Sequence, residues 1–328
     1  MRVCLIEVGH WHAPFYYGEL AAQGIAVAAV SDRAPAVATR VGGALGCPGY
    51  ADYAHMVERE KPDFVLAFGR HDEMAAIARH LLDRRIPFGM EKPLGLSYAE
   101  VAPLAEQARR QGAFVAVPLT FRATPWARKI RELEAPGGDL SFLGFRFMTG
   151  PVSRYATAGC EWILTKAGAG GGCTLNLGIH FTDLFVHLTG KRPKRLWASM
   201  NNRTNRTEVE DYSLLILEAA DGTACRIETG YPLPGGAKGR ALECVLRGKQ
   251  GYYEVREDEM LWVDGAARAH HVAGPTDQTS IYPVFVRDCL DALREGRRPV
   301  ADIEDNLAAL ALVEAAYRAA RTKQVVEL

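Results

Sequence analysis

The sequence predicts an α/β protein in two parts: a doubly wound parallel sheet over residues 1–120, and an α+β domain with a large, mostly antiparallel sheet over residues 121–328. Three observations carry this. The 328 residues exceed one ordinary domain. The first 120 alternate strand and helix signals, which implies parallel pairing. Near residue 121 the pattern changes to many strands with few helices, which implies antiparallel pairing with helices on one face.

Short apolar runs rich in β-branched residues predict strands at Val3 to Val8, Ile25 to Val30, Phe64 to Phe68 and Phe114 to Val117, with a weaker one at Pro87 to Met90. Helical patterns fall between them at Pro14 to Gln23, Pro35 to Leu45, Asp72 to Leu82 and Tyr98 to Arg110. Pro14 and Pro35 suit a first helical turn, where the missing N–H would have no partner anyway. Ser97 with Glu100 reads as a capping box.

In the second part a helix at Pro125 to Leu133 precedes a turn at Gly137-Gly138. Strand-like runs follow at Leu140 to Met148, Arg195 to Met200, Tyr212 to Glu218, Ala224 to Thr229 and Leu242 to Leu246. Asp221-Gly222 is a hairpin signal. One apolar helix, Cys173 to Leu188, interrupts the strands, and helices at about Tyr282 to Leu293 and Ile303 to Arg321 finish the chain.

Composition excludes several classes. Apolar residues make up 48% and charged residues 24%, with 39 basic against 39 acidic side chains, so nothing suggests disorder, a nucleic acid or an acidic membrane. The seven cysteines are widely spaced with no CxxC pair, which argues against a disulfide framework or zinc ribbon and for a reducing compartment. The first residues lack a signal-peptide pattern, and no run approaches the roughly 18 apolar residues of a membrane span. A cytoplasmic location is expected.

The first strand runs into Glu7-Val8-Gly9-His10-Trp11-His12. A dinucleotide-binding turn uses G-x-G-x-x-G, whose glycines permit a tight turn, close approach of a pyrophosphate and close helix packing. Only the middle glycine, Gly9, is present. A plain strand-to-helix turn is the alternative. Asp32 ends the second strand, 23 residues after Gly9. An acid there hydrogen-bonds ribose hydroxyls and repels a 2′-phosphate, favouring NAD. Arg33 could stack on adenine or hold a phosphate, which leaves NADP open. Gly9, His10, Trp11, His12, Asp32 and Arg33 are thus candidate cofactor contacts. Glu91-Lys92-Pro93 follows the weaker run Pro87 to Met90, at the strand ends where open α/β sheets bind ligands. That gives Glu91 and Lys92 access to cofactor, and Lys92 to substrate as well.

The helix from Leu175 to Leu188 is apolar nearly all round and should be buried. Yet Asn176, His180, Asp183 and His187 form one polar stripe, which must find partners or face a wet cleft. A solvent face or a satisfied core histidine is the structural alternative, and His187 stays in that class.

Taken together these motifs resemble the Gfo/Idh/MocA family, the glucose–fructose oxidoreductase and inositol dehydrogenase group. Its E-K-P matches Glu91-Lys92-Pro93. Its A-G-G-G followed by D-x-G-x-H-x-x-D matches Ala169-Gly170-Gly171-Gly172, then Asn176 to Asp183. Val209-Glu210-Asp211 and the helix-rich tail also fit, so the resemblance spans nearly the whole chain. It implies a Rossmann domain, a C-terminal domain with an open sheet, and NAD(P)-linked hydride exchange with a secondary alcohol of a sugar, cyclitol or related polyol. It implies Lys92 and His180 at the catalytic centre, with His180 as general base, Lys92 on the same oxygen and Asn176 orienting substrate. A homodimer or homotetramer through the C-terminal sheet is also implied. Two other readings are an NAD-dependent enzyme that cleaves glycosides by oxidation and elimination, and a non-catalytic NAD-binding regulator.

The sequence departs from that pattern in three places. Asn176 stands where the family often has Asp, and an amide cannot act as a general base. Phe68 to Asp72 replaces a T-P-N turn. Glu7 brings a carboxylate towards the expected pyrophosphate, an unfavourable contact unless the side chain turns away. His10, His12 and His71 would then cluster and could donate to phosphate. No ligand spacing supports a metal there, so none is expected. Substrate specificity is expected in loops such as Pro151 to Ala167 and the Pro232 to Lys238 turn, with Arg122, Arg154, Trp162 and Lys166 the side chains of interest.

Overall fold

A computed structural model of the protein describes residues 1–134, 139–235, 239–256, 259–274 and 278–328. The expected Gly137-Gly138 turn and part of the Pro232 to Lys238 turn lie outside these residues.

The first sheet contains β1 (Val3–Ile6), β2 (Val27–Ser31), β3 (Gly49–Tyr50), β4 (Phe64–Ala67), β5 (Phe88–Met90) and β6 (Val115–Ala116). All pairings are parallel, in the order β3-β2-β1-β4-β5-β6. That is the doubly wound arrangement, with its switch point between β1 and β4. The connecting helices are α1 (Pro14–Ala22), α2 (Pro35–Leu45), α3 (Tyr53–Glu60), α4 (His71–Asp83) and α5 (Tyr98–Gln111). Pro14 and Pro35 do open their helices. Ser97 Oγ accepts from the Glu100 amide, while the Glu100 carboxylate reaches one residue further back, to the Leu96 amide. Sequence reasoning missed β3 and α3. The strand is only two residues long, and α3 starts on Asp52, whose carboxylate accepts from the His55 amide at 2.6 Å.

The second part begins with α6 (Pro125–Glu134) and β7 (Leu140–Thr149), then two short helices, α7 (Ser153–Thr157) and α8 (Lys166–Ala169). The expected apolar helix is divided. Thr174–Gly178 is a π-helical turn, and α9 (Ile179–Thr189) continues from it. The widened turn carries Asn176, whose main-chain carbonyl accepts a hydrogen bond from Lys92 Nζ at 2.8 Å. The remaining strands are β8 (Pro193–Asn201), β9 (Tyr212–Ala219), β10 (Ala224–Gly230), β11 (Arg240–Gly248), β12 (Gly251–Arg256), β13 (Glu259–Asp264), β14 (Ala269–Ala273) and β15 (Val326–Glu327), with α10 (Gln278–Glu295) and α11 (Ile303–Thr322) before the last. They form a nine-stranded sheet, β14-β13-β12-β11-β7-β10-β9-β8-β15. Every pair in it is antiparallel except β7 with β10.

The two final helices join the parts. From α10, Tyr282, Phe285, Val286 and Leu290 share one core with Val3, Leu5, Phe64 and Leu66 of the first sheet. Helix α11 sends Leu307, Leu310 and Val313 into the core beneath α4 and α5. Its Leu312, Ala315, Ala316 and Ala319 pack into the core of the nine-stranded sheet. The other face of that sheet leaves Phe142, Trp197, Ile216 and Tyr252 exposed.

Candidate active site

Two adjoining clefts meet along the turn after β1. Glu7, where the glycine fingerprint begins, takes a left-handed backbone (φ 57°), so this chain adopts the turn without its usual glycine. Its carboxylate turns to Arg33, accepting from the main-chain N and from Nε at 3.2 Å each. Arg33 also pairs with Glu73. A Cβ at Gly9 would stand 2.8 Å from Asp32 Oδ2, which accepts from the Gly9 amide at 2.6 Å, so any larger residue would displace that carboxylate.

The first cleft, of about 260 Å³, is walled by Gly9, His10, Asp32, Arg33, Arg40 and Arg70 on one side and by Cys160 and Trp162 on the other. Its acid at the end of β2, glycine at the turn and flanking arginines fit a dinucleotide: a carboxylate for ribose hydroxyls and cations for the diphosphate. Bound there, NAD would supply a hydride acceptor, held by this turn and by Asp32.

The second cleft, of about 230 Å³, is lined by Trp11, His12, Lys92, Asn176, Tyr155 and Arg154 among others. Lys92 is buried, and Nζ donates to both the main-chain O and the Oδ1 of Asn176, at 2.8 Å each. Burial lowers the lysine to about 8 against the opposing pull of Glu91. The Asn176 amide nitrogen donates to the Tyr155 and Tyr231 hydroxyls at 3.1 and 2.9 Å. With Oδ1 turned to Lys92, this amide has all its groups engaged.

Beneath the cleft lies a second buried network. Tyr16 donates to Glu91 Oε1 at 2.7 Å, and His12 Nδ1 lies 3.2 Å from the same oxygen and 2.8 Å from the Tyr282 hydroxyl. Burial alone would raise the Glu91 carboxyl, but His12, His10 and Lys92 outweigh it and hold Glu91 at about 2. Burial depresses His12, with Glu91 opposing. His180 is also buried, edge-on to Phe121 at 5.5 Å between ring centroids. Burial first, then the Lys92 charge, pushes it well below its ordinary value, so its imidazole is neutral at neutral pH.

The residues expected to act together separate into layers. Gly9, His10, Asp32 and Arg33 line the first cleft; Trp11, His12, Lys92 and Asn176 line the second. Glu91 and His180 lie behind the walls. His71 Nδ1 is 3.0 Å from the Ala169 carbonyl, and its ring meets Trp162 edge-on. Burial lowers it to about 3. Among the described residues no group of three His, Cys, Asp or Glu is arranged to hold a metal. Of the loop side chains, Arg154 and Trp162 line clefts. Lys166 is exposed. Arg122 is buried: Nε donates to Asp183 Oδ2 at 2.8 Å, and a terminal nitrogen lies 3.0 Å from Asp305. The stripe's Asp183 is therefore structural, and His187 lies beside Arg131, away from both clefts. The glycine run has a steric cause. A Cβ on Gly171 would strike the Tyr317 hydroxyl and one on Gly172 the Glu210 carbonyl, both at 1.9 Å. Sequence reasoning missed Tyr155, Tyr231 and Tyr282; only the Tyr155 loop was singled out, as a range.

Residues 3–119 match the oxidoreductase family with the NAD-binding Rossmann fold, and residues 145–254 match the GFO/IDH/MocA C-terminal domain. The rhizopine catabolism protein MocA of Rhizobium meliloti is 24% identical over 303 residues, 89% of this chain and 86% of that one. D-apiose dehydrogenase of Paraburkholderia graminis is 25% identical over 311 residues, 85% and 76% of the two chains. An oxidoreductase from Agrobacterium radiobacter, solved with NAD+, L-tartaric acid and magnesium, superposes with a TM-score of 0.87 at 18% identity, covering 100% of this chain and 98% of its own. No described helix is long and apolar enough to cross a membrane. With both of its domains matched in order, and with the parallel and mixed sheets of that architecture, this chain belongs to the Gfo/Idh/MocA oxidoreductases, its first domain being their NAD-binding Rossmann fold.

Proposed function

We propose that the protein oxidises a secondary alcohol of a sugar, cyclitol or related polyol, with NAD as hydride acceptor. One observation carries the reading: Lys92 from the first domain donates to Asn176 from the second, in a cleft that adjoins the one holding Gly9 and Asp32. D-apiose dehydrogenase, among the relatives, acts on a sugar by its name. Asp32 favours NAD over NADP.

In this mechanism Lys92 Nζ hydrogen-bonds the alcohol oxygen and stabilises charge growing there as hydrogen leaves carbon. Asn176 fixes the direction of Nζ through two acceptors. His180, neutral and within reach of the Lys92 field, is the proton acceptor read from the family pattern. A second assignment has a specific basis. Lys92 itself lines the cleft, His180 does not, and a lysine brought to about 8 can exchange the proton directly. The exposed aromatic face of the nine-stranded sheet is proposed to join two or four copies.

The test is a screen of sugars and polyols for NADH formation, preceded by thermal-shift comparison of NAD with NADP. Protein that binds NAD but reduces it with no alcohol in the screen would count against the assignment.

A further inference from the structure

The second cleft is cationic. Lys92, Arg154 and Arg240 line it, His12 stands beside them, and no Asp or Glu is among its described lining residues. The Glu91 carboxylate lies behind the wall, engaged by Tyr16 and His12.

Arg154 is held as a receptor would be. One terminal nitrogen donates to the Gly150 carbonyl at 3.1 Å, the other to Thr149 Oγ1 and the Tyr155 hydroxyl at 2.9 Å each. The guanidinium carbon lies 4.7 Å from the Tyr155 ring centroid. Every partner is neutral, so orientation is fixed while the charge is left uncompensated by any carboxylate among the described residues. A purely structural arginine is normally paired, as Arg122 is with Asp183 and Asp305. Arg154 also connects to the reacting end: Tyr155 accepts from it and from Asn176, and Asn176 accepts from Lys92. One small molecule can therefore touch both cations.

Deepening the dehydrogenase reading and resting on it, we infer that the substrate carries an anionic group, carboxylate or phosphate, which Arg154 receives while Lys92 takes the hydroxyl to be oxidised. A guanidinium fork matches either oxyanion. The same field disfavours an amino sugar, whose ammonium would meet Lys92 and Arg154 with no acid among the described lining residues.

Wild-type protein saturated with NAD, which fills the first cleft, is titrated calorimetrically with glucose, glucuronate, gluconate, glucose 6-phosphate and glucosamine. Charge-assisted hydrogen bonds imply that at least one anionic ligand binds about tenfold or more tighter than glucose, with affinity falling as salt rises. Which anions bind separates carboxylate from phosphate. In Arg154→Gln the anionic preference disappears, and in Arg154→Lys part of it returns; circular dichroism establishes that both variants fold. Equal binding of glucose and every anion, or an anionic preference unchanged in Arg154→Gln, overturns the inference. Turnover distinguishes the two levels. A neutral polyol oxidised as efficiently as any acid sinks the anion site and leaves the dehydrogenase standing. Arg154-dependent anion binding with no NADH from any ligand does the reverse.

Discussion

Lys92 Nζ spends two of its three N–H bonds on one residue, Asn176, 84 positions away in the other domain. The third is left to face the cleft, so the ammonium points one donor at whatever oxygen binds there.

Replacing Lys92 by Ala or Met should lower kcat/KM by roughly 10²–10³-fold, the range for removing one donor to a developing oxyanion. NAD affinity, measured by fluorescence quenching or calorimetry, should stay within a few-fold. Turnover near wild type would remove Lys92 from the chemistry.

The pH profile separates the two proton acceptors. If Lys92 takes the proton, the deprotonated form is active, so log kcat/KM for alcohol oxidation climbs with unit slope below about 8 and levels above it. If His180 takes it, the imidazole is already neutral across the working range, and the limb falls well below 6.5. Measurement from pH 5 to 10 decides between them.

Asn176→Asp should move a Lys92 limb upward by about 1–2 units, because a neighbouring carboxylate favours the charged lysine. A limb that stays still would mean Lys92 is not the group titrating. The Tyr155 and Tyr231 hydroxyls, which accept from the amide, must turn and donate to the carboxylate in this variant, so a change in substrate affinity is expected too.

Arg122→Ala strands Asp183 in the core without its partner and should cost about 3–5 kcal/mol in urea unfolding. Replacing both Arg122 and Asp183 by Leu should recover much of that. Such recovery would mark the pair as architecture, not chemistry.

Asp32→Ser removes the carboxylate that sits over Gly9 and should erode any preference for NAD over NADP, read as the ratio of the two kcat/KM values. An unchanged ratio would mean that Arg33 and Arg40, and not Asp32, set cofactor choice.

The parts of the fold legible in sequence were those with strong local signals. Strands β1 and β4 are continuous buried runs, and helices α1, α2 and α5 carry proline or serine starts. By contrast β12 and β14 mix Tyr252, Glu254, Arg256, His270 and His271 into a sheet buried on one face, and the one apolar run near them, Met260 to Val263 of β13, is only four residues long between two acids. At the site, Lys92 and Asn176 stood out because charge and amide fall in otherwise apolar segments. Tyr282 did not. Its place beside His12, 270 positions earlier, depends on how α10 docks, and no local pattern encodes that.

Because α10 belongs to the first sheet's core, synthesis and folding run out of step. The parallel sheet emerges from the ribosome early, yet Val3, Leu5, Phe64 and Leu66 keep a bare greasy flank until the last helices arrive. A fragment ending at residue 120 should accordingly bind a hydrophobic dye and clump, while the whole chain does neither. Helix α10 is thus the seal on the first sheet.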